Sequence, residues 1–170
     1  SDRNNIGYQY TDCPLYWISV IYLNFAEAKA EMGSLTQDDL NNSINKLQAR
    51  AGLPAMTATP DADPANNMGV SNLIWEIRRC RRCELIMDNW YRYWDLIRWH
   101  QLDKLDSTKY PNTMLGANVS NVPDCEEATK NGYIDASDAQ IRTYEAKHYF
   151  YPIPTTQLTL NKNMKQNPGW

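Results

Sequence analysis

The sequence of 170 residues lacks a long hydrophobic run and carries little net charge. Its longest apolar stretch, residues 15–26, is interrupted by Ser19 and Asn24 and falls short of the ~20 residues that cross a bilayer, so no membrane-spanning helix is predicted. A net charge of −3 leaves no dominant positive face, so we expect no nucleic-acid partner. The opening residues contain no apolar core, so no signal peptide is predicted there.

Histidine and cysteine are scarce, at 2 and 4 residues. Cys80 and Cys83 stand three apart, but a structural zinc site needs four ligands and the other cysteines and histidines are not paired at ligand spacing. We therefore predict structural thiols, no metal and no other cofactor. A glycine-rich phosphate loop and a Gly-x-Ser-x-Gly motif are also missing. Together with acidic residues that capping and pairing explain, this predicts a protein that is not an enzyme.

Phenylalanine is rare as well, with 2 residues against 6 Trp and 11 Tyr. Rings with a polar edge suit surfaces that bind polar, flat-faced partners such as sugars, and the same composition also fits a polar core.

The run of residues 16–33 predicts a first helix, with Asp12 and Pro14 in its opening turn and Gly33 just past its end. This helix is apolar nearly all round, so we expect it to be buried on more than one side. Glu27 falls on its apolar stripe, where a carboxylate requires a partner.

Thr36 and Asp39 form a capping box for a second helix that reaches residue 50, and the loop of residues 53–70 follows. The first two helices together have about the length of one tetratricopeptide-type hairpin. Ser71 caps a third helix, and a break near residues 88–89 precedes a shorter one over residues 91–102.

We predict a single domain over residues 1–170, with a helical core at about 12–102, a loop excursion at about 103–148 and a closing tail at 149–170. A short helix at about 136–144 is expected within the excursion. The prolines of the tail argue against a helix there, and its apolar residues should pack against the helices. These residues are Tyr149, Tyr151, Ile153, Leu158 and Leu160.

The stretch RRCRRCELIMDNWYRYWDLIRW, residues 78–99, holds six arginines interleaved with acidic residues. Charges three and four apart on a helix form local pairs, which favours an internal network over a phosphate grip. We predict that Arg78, Arg81 or Arg82 reaches Glu27. We also predict that Asp95 pairs with Arg92 or Arg98, and that Trp75, Trp94 and Trp99 belong mainly to the core.

Three motifs in order resemble the SusD/RagB family of outer-membrane nutrient-uptake lipoproteins, in its C-terminal part. They are IYLNFAEAKAEMG with QARAGLP, then RRCRRCEL with RYWDLIRW, and finally YFYPIP with LNKNMKQNPGW. The resemblance implies a mainly α fold of tetratricopeptide-like helical hairpins (an α-α superhelix) with long irregular loops and a packed, non-helical C-terminal tail.

The same resemblance implies non-catalytic capture of oligosaccharides or polysaccharides on the cell-surface side of the outer membrane, for delivery to a TonB-dependent transporter. It also implies that the membrane is reached only through a lipid anchor in an N-terminal part outside these residues. Two alternatives stay open: a helical interaction scaffold that contacts the transporter without touching glycan, and a glycan-cleaving enzyme. The sugar contacts that we predict are aromatic and amide residues of the loops, namely Trp90, Tyr110, Asn112, Asn131 and Tyr133.

Overall fold

A computed structural model describes residues 16–87, 91–123, 129–137 and 140–170, and the start of the predicted first helix lies outside these ranges. The chain divides between Arg92 and Tyr93 into two compact units. The described residues form six α-helices and one small sheet, which confirms a mainly α fold. Within them, no helix is both long enough and apolar enough to span a membrane.

The first unit consists of helices α1 (Ile18–Glu31), α2 (Gln37–Asn41), α3 (Ile44–Arg50) and α4 (Asn72–Glu84), with the first residues of α5 (Tyr91–Arg98). The ends of α1 and α3 follow from glycine, because Gly33 and Gly52 adopt φ values of +67° and +69°. The capping box of Thr36 and Asp39 is present at the start of α2. Residues 36–50 form two helices rather than the single one predicted, because the backbone breaks at Ser43, whose hydroxyl donates to the Asp39 carbonyl at 2.6 Å.

Helix α1 packs on α3 and α4 and supplies the centre of this unit's core. Its Leu23 and Ala26 are fully buried, as is Ile77 of α4. The opposite face of α1 is exposed, with Ile21 at 56% of its maximum accessibility. The prediction that α1 is buried on more than one side is therefore wrong in this structure, because the described helices α3 and α4 leave its second apolar face exposed.

The second unit contains a short 3₁₀ helix at Leu102–Leu105 and the strands β1 (Leu115–Asn118), β2 (Thr129–Lys130) and β3 (Tyr133–Asp135). The strands pair antiparallel in the order β1-β3-β2. Asn131 and Gly132 both have positive φ, as a two-residue hairpin turn requires. The predicted helix at 136–144 is wrong for the residues described there, which are turn or irregular.

The tail carries a 3₁₀ helix at Ala146–Tyr149 and a short helix α6 (Thr155–Leu160). Helix α6 corrects the prediction of a non-helical tail at these residues, and it is allowed because Pro154 precedes its first turn and leaves no amide missing inside it. Tyr149, Ile153 and Leu158 are half-buried, whereas Tyr151 and Leu160 are exposed, contrary to expectation.

Candidate functional site

An aromatic pocket of about 330 Å³ lies within the second unit, and we call it the tail pocket. Six of its lining residues carry aromatic or imidazole rings: Tyr93, Tyr144, His148, Phe150, Tyr151 and Trp170. The others are Leu102, Leu105, Arg142 and Thr143. Such a mixture of ring faces and a few polar groups is typical of sites for small polar molecules.

The last residues of the chain support this pocket through hydrogen bonds to an earlier part of the tail, and we call these bonds the clamp. The amide side chain of Gln166 accepts from the Ile153 N–H at 2.8 Å and donates to the Ile153 carbonyl at 2.9 Å. Asn167 donates from its side chain to the Tyr151 carbonyl at 2.6 Å. The segments YFYPIP and QNPGW are therefore joined by hydrogen bonds between amide side chains of the second and backbone groups of the first.

The indole of Trp170 is fixed in the same way. Its Nε1 donates to the carbonyls of Phe150 at 3.0 Å and Lys147 at 3.2 Å, and the side chain remains 47% accessible. Gly169 precedes it with φ +89°, a conformation that favours glycine. The imidazole of His148 meets the indole edge-on, with ring centroids 5.9 Å apart. The ring of Trp170 is thus both oriented and open to solvent.

Tyrosine hydroxyls give the pocket a polar rim. The hydroxyls of Tyr93 and Tyr151 lie 3.3 Å apart, and this hydrogen bond is the main cause that raises the pKa of Tyr93. Burial, followed by a hydrogen bond with Tyr149, raises the pKa of Tyr144. The hydroxyls of Tyr93 and Tyr144 therefore stay protonated at neutral pH and act as neutral donors and acceptors.

A buried carboxylate anchors the other wall of the pocket. Asp106 accepts from the Tyr144 N–H at 3.2 Å and from the Thr108 hydroxyl and N–H at 2.5 and 2.9 Å. The hydroxyl bond of Thr108, with the backbone bond of Tyr144 next, lowers the pKa of Asp106 to about 2. Asp106 is not among the residues predicted from the sequence, although the pattern Asp-x-Thr is a known turn signal.

Of the predicted sugar contacts, Tyr110, Asn112, Asn131 and Tyr133 do not line the tail pocket. Trp90 lies outside the described residues. Tyr110 is half-buried, with Lys104 Nζ donating to its hydroxyl at 3.2 Å and lying 4.8 Å from its ring centroid. Asn112 is exposed, Asn131 is in the hairpin turn, and Tyr133 is on β3. These residues stay predictions.

Two arginines of the arginine-rich stretch join α4 to α1. Arg78 Nε donates to Glu27 at 3.0 Å, and its Nη2 donates to Glu31 at 3.0 Å. Arg81 donates to Asn24 at 2.8 Å and stacks on the Tyr91 ring. 

In the second unit, Arg98 donates to Asp95 at 3.2 Å. Of the other predicted partners, which both lie in the first unit, Arg82 is exposed and Arg92 is half-buried. Trp75 and Trp99 are buried as predicted, whereas Trp94 is 56% accessible, so the prediction of a core position for it is wrong.

A second pocket of about 530 Å³ lies in the first unit, between α3, α4 and the loop that includes Met56. Cys80 and Cys83 line it. Burial raises the pKa of Cys80 to about 11, so this thiol is protonated at neutral pH and is a poor nucleophile or metal ligand. No group of three potential metal ligands occurs among the residues that the structure describes.

Helical hairpins in one unit and a clamped aromatic tail in the other define a mainly α-helical protein of tetratricopeptide-like type. The model of the SusD family matches residues 1–170, so the chain belongs to that family, and the resemblance noted from the motifs is confirmed. A crystal structure of a SusD-like protein from Bacteroides fragilis is similar, with 24% identity and a TM-score of 0.59. The match covers 89% of this chain and 25% of that protein, so the chain spans about a quarter of that relative's length. No curated protein matches significantly.

Proposed function

We propose that this chain serves nutrient uptake by capturing oligosaccharides without cleaving them, on the cell-surface side of the outer membrane, for delivery to a TonB-dependent transporter. The observation that carries the proposal is the match of the SusD family to residues 1–170. The tail pocket adds a chemical reason, because it presents oriented aromatic rings next to neutral hydroxyl groups.

The exposed rings of Trp170 and Tyr151 are suited to stack on the apolar face of a sugar ring. A stacked ring that removes ~120 Å² from water contributes ~3 kcal/mol at ~25 cal/mol/Å². After the entropic cost of association, one such platform corresponds to millimolar affinity, and several are needed for tight capture. The predicted contacts Tyr110, Asn112, Asn131 and Tyr133, with Trp90, remain candidates for further subsites.

Binding without turnover fits the composition of the tail pocket. Hydrolysis of a glycosidic bond requires two carboxyl groups that face each other across the sugar. The lining residues that the structure describes include no aspartate or glutamate. Two acidic residues next to lining residues have structural roles, since Asp106 holds a turn and Glu145 lies 3.3 Å from the ammonium group of Lys147.

A second candidate function, a helical scaffold that contacts the transporter, is favoured by the exposed face of α1. Ile18, Ile21 and Phe25 recur there at helical spacing, Met32 follows at the C-cap, and each is more than a third accessible. Such an apolar stripe is typical of a helix that packs against another element. The two functions are compatible, because the stripe and the tail pocket belong to different units.

The experiment is calorimetry of this chain against a panel of neutral and acidic oligosaccharides, with chromatography of the sugars after long incubation. We expect binding with Kd values near millimolar for single sites, and no shorter products. Trp170→Ala should abolish binding at the tail pocket. Trp17→Ala is the matched control, because Trp17 is equally accessible (46%) but lies in the first unit. Released shorter sugars would refute binding without turnover, and no binding of any glycan would refute capture.

A further inference from the structure

Arg142 is the only full positive charge among the described residues that line the tail pocket. Its backbone is held on both sides by Ser107: the Arg142 N–H donates to the Ser107 hydroxyl at 3.0 Å, and the Arg142 carbonyl accepts from the Ser107 N–H at 2.9 Å. The Tyr144 N–H, two residues on, donates to buried Asp106. The position from which the Arg142 side chain extends is therefore fixed.

The guanidinium of Arg142 has no carboxylate partner within the described part of the chain. In this it differs from four other arginines of the protein that are ion-paired at 2.5–3.2 Å, namely Arg50, Arg78, Arg79 and Arg98. An arginine whose charge is not used by the fold is available to a ligand, and its planar fork matches a carboxylate with two parallel hydrogen bonds.

The other charges near the pocket leave this preference in place. Lys147 Nζ lies 5.2 Å from the centroid of the Trp170 ring and adds positive potential there, although Glu145 at 3.3 Å offsets part of it. Asp103 acts on the Tyr144 hydroxyl, where its charge contributes to the raised pKa, but it does not line the pocket. The described lining thus combines ring faces with one cation and no carboxylate, although the buried Asp106 lies behind it on the Tyr144 N–H.

We propose that the tail pocket selects oligosaccharides that carry an anionic group, foremost the carboxylate of a uronic acid, with Arg142 binding the anion and Trp170 stacking on the sugar ring. This inference rests on the proposed function and adds the class of sugar. A sulfate ester offers the same negative charge to the guanidinium, so both sources of the anion need to be compared.

The test uses one sugar backbone with and without its charge. Calorimetry of the chain with trigalacturonate and with its fully methyl-esterified form compares identical rings, of which only the first is anionic. We expect trigalacturonate to bind about tenfold or more tightly, since a charge-assisted hydrogen bond commonly contributes this factor or more. A higher NaCl concentration should weaken the binding of trigalacturonate and leave the binding of the ester unchanged. A sulfated galactan trimer tells the two anions apart, and binding of this sugar alone would overturn the assignment of the carboxylate.

Two variants test whether Arg142 causes the difference in affinity between trigalacturonate and its ester. Arg142→Gln should bring the affinity for trigalacturonate down to that for the ester, and Arg142→Lys should restore part of the difference. Lys162→Gln is the matched control, because it removes an exposed positive charge of the same unit that does not line the pocket. Equal binding of acid and ester, unchanged in Arg142→Gln, would overturn the inference and leave capture standing. Absence of binding by every sugar would instead refute capture itself.

Discussion

Arg78 and Glu27 form a buried ion pair, with Arg78 Nε donating to Glu27 Oε1 over 3.0 Å. Both residues are less than a tenth accessible, and they join α4 to α1 across 51 positions of sequence. The Nη2 group of the same guanidinium donates to Glu31, so Arg78 binds two carboxylates. A planar guanidinium with several donors is suited to this arrangement, which a lysine could not reproduce.

Replacing Glu27 should therefore destabilise the first unit strongly. Glu27→Ala leaves the buried Arg78 charge with Glu31 beside it but without its buried partner, and loss of one partner of a buried pair costs up to about 3–5 kcal/mol in the free energy of unfolding. The measurement is urea denaturation followed by far-ultraviolet circular dichroism.

The matched control for Glu27 is Glu76→Ala. Glu76 pairs with Arg79 three residues away, and the Arg79 side chain is nearly half accessible. Loss of this ion pair should therefore lower the free energy of unfolding by less than about 1 kcal/mol. Equal effects of the two variants would mean that the buried pair contributes no more than a surface pair.

The two faces of α1 should respond differently to the same change. Leu23 is fully buried against α3 and α4, so Leu23→Ala should lower the free energy of unfolding by about 2–5 kcal/mol. Ile21 is 56% accessible, so Ile21→Ala should cost less than about 1 kcal/mol. A large loss in Ile21→Ala, measured by the same denaturation, would show that this face is covered in solution.

Sequence patterns predicted the elements whose cause is local. The capping box of Thr36 and Asp39, the cap at Ser71 and the glycine at position 33 each act within a few residues, and all are present. The need of Glu27 for a cation also followed from its place on an apolar stripe. Which of Arg78, Arg81 and Arg82 binds Glu27 could not be predicted, because one helix can present several arginines to the same neighbour.

The sheet and the tail pocket depend on contacts that local patterns do not carry. The Asn131-Gly132 dipeptide between short polar strands is the one local signal for the β2–β3 hairpin. The partner strand β1 lies more than ten residues away, and only pairing reveals it. The pocket arises from amide side chains such as Gln166 that bind backbone 13 residues distant, and no periodicity marks such a clamp.

The buried carboxylate of Asp106 predicts a pH dependence of stability. Its pKa in the folded protein is about 2, below the ordinary value of about 3.8, so its contribution is complete above about pH 4 and is lost as the pH falls towards 2. In Asp106→Asn this contribution is missing at every pH. We expect the difference in melting temperature between the wild type and Asp106→Asn to be largest near neutral pH and to shrink between about pH 4 and 2.

The comparison between the two proteins removes the effect of other acids. Asp39, whose pKa is also lowered to about 2 by its hydrogen bonds with Thr36, titrates equally in both. Calorimetric melting over this pH series measures the difference directly. A difference that stays constant down to the lowest pH would show that Asp106 stabilises the turn through shape rather than through its charge.

Gly169 should control the orientation of Trp170. A Cβ at position 169 would lie 2.9 Å from the Lys147 Cβ, and its φ of +89° is strained for any side chain. Gly169→Ala should therefore release the Trp170 indole from the Phe150 and Lys147 carbonyls, raise its quenching by acrylamide and weaken sugar binding about tenfold or more, as loss of one platform does. Gly69→Ala controls for backbone strain, because Gly69 has φ +68° but nothing within 4 Å of an added Cβ. Unchanged quenching and affinity in Gly169→Ala would mean that the tail accommodates the methyl group without moving the ring, and that the clamp formed by Gln166 and Asn167 alone positions Trp170.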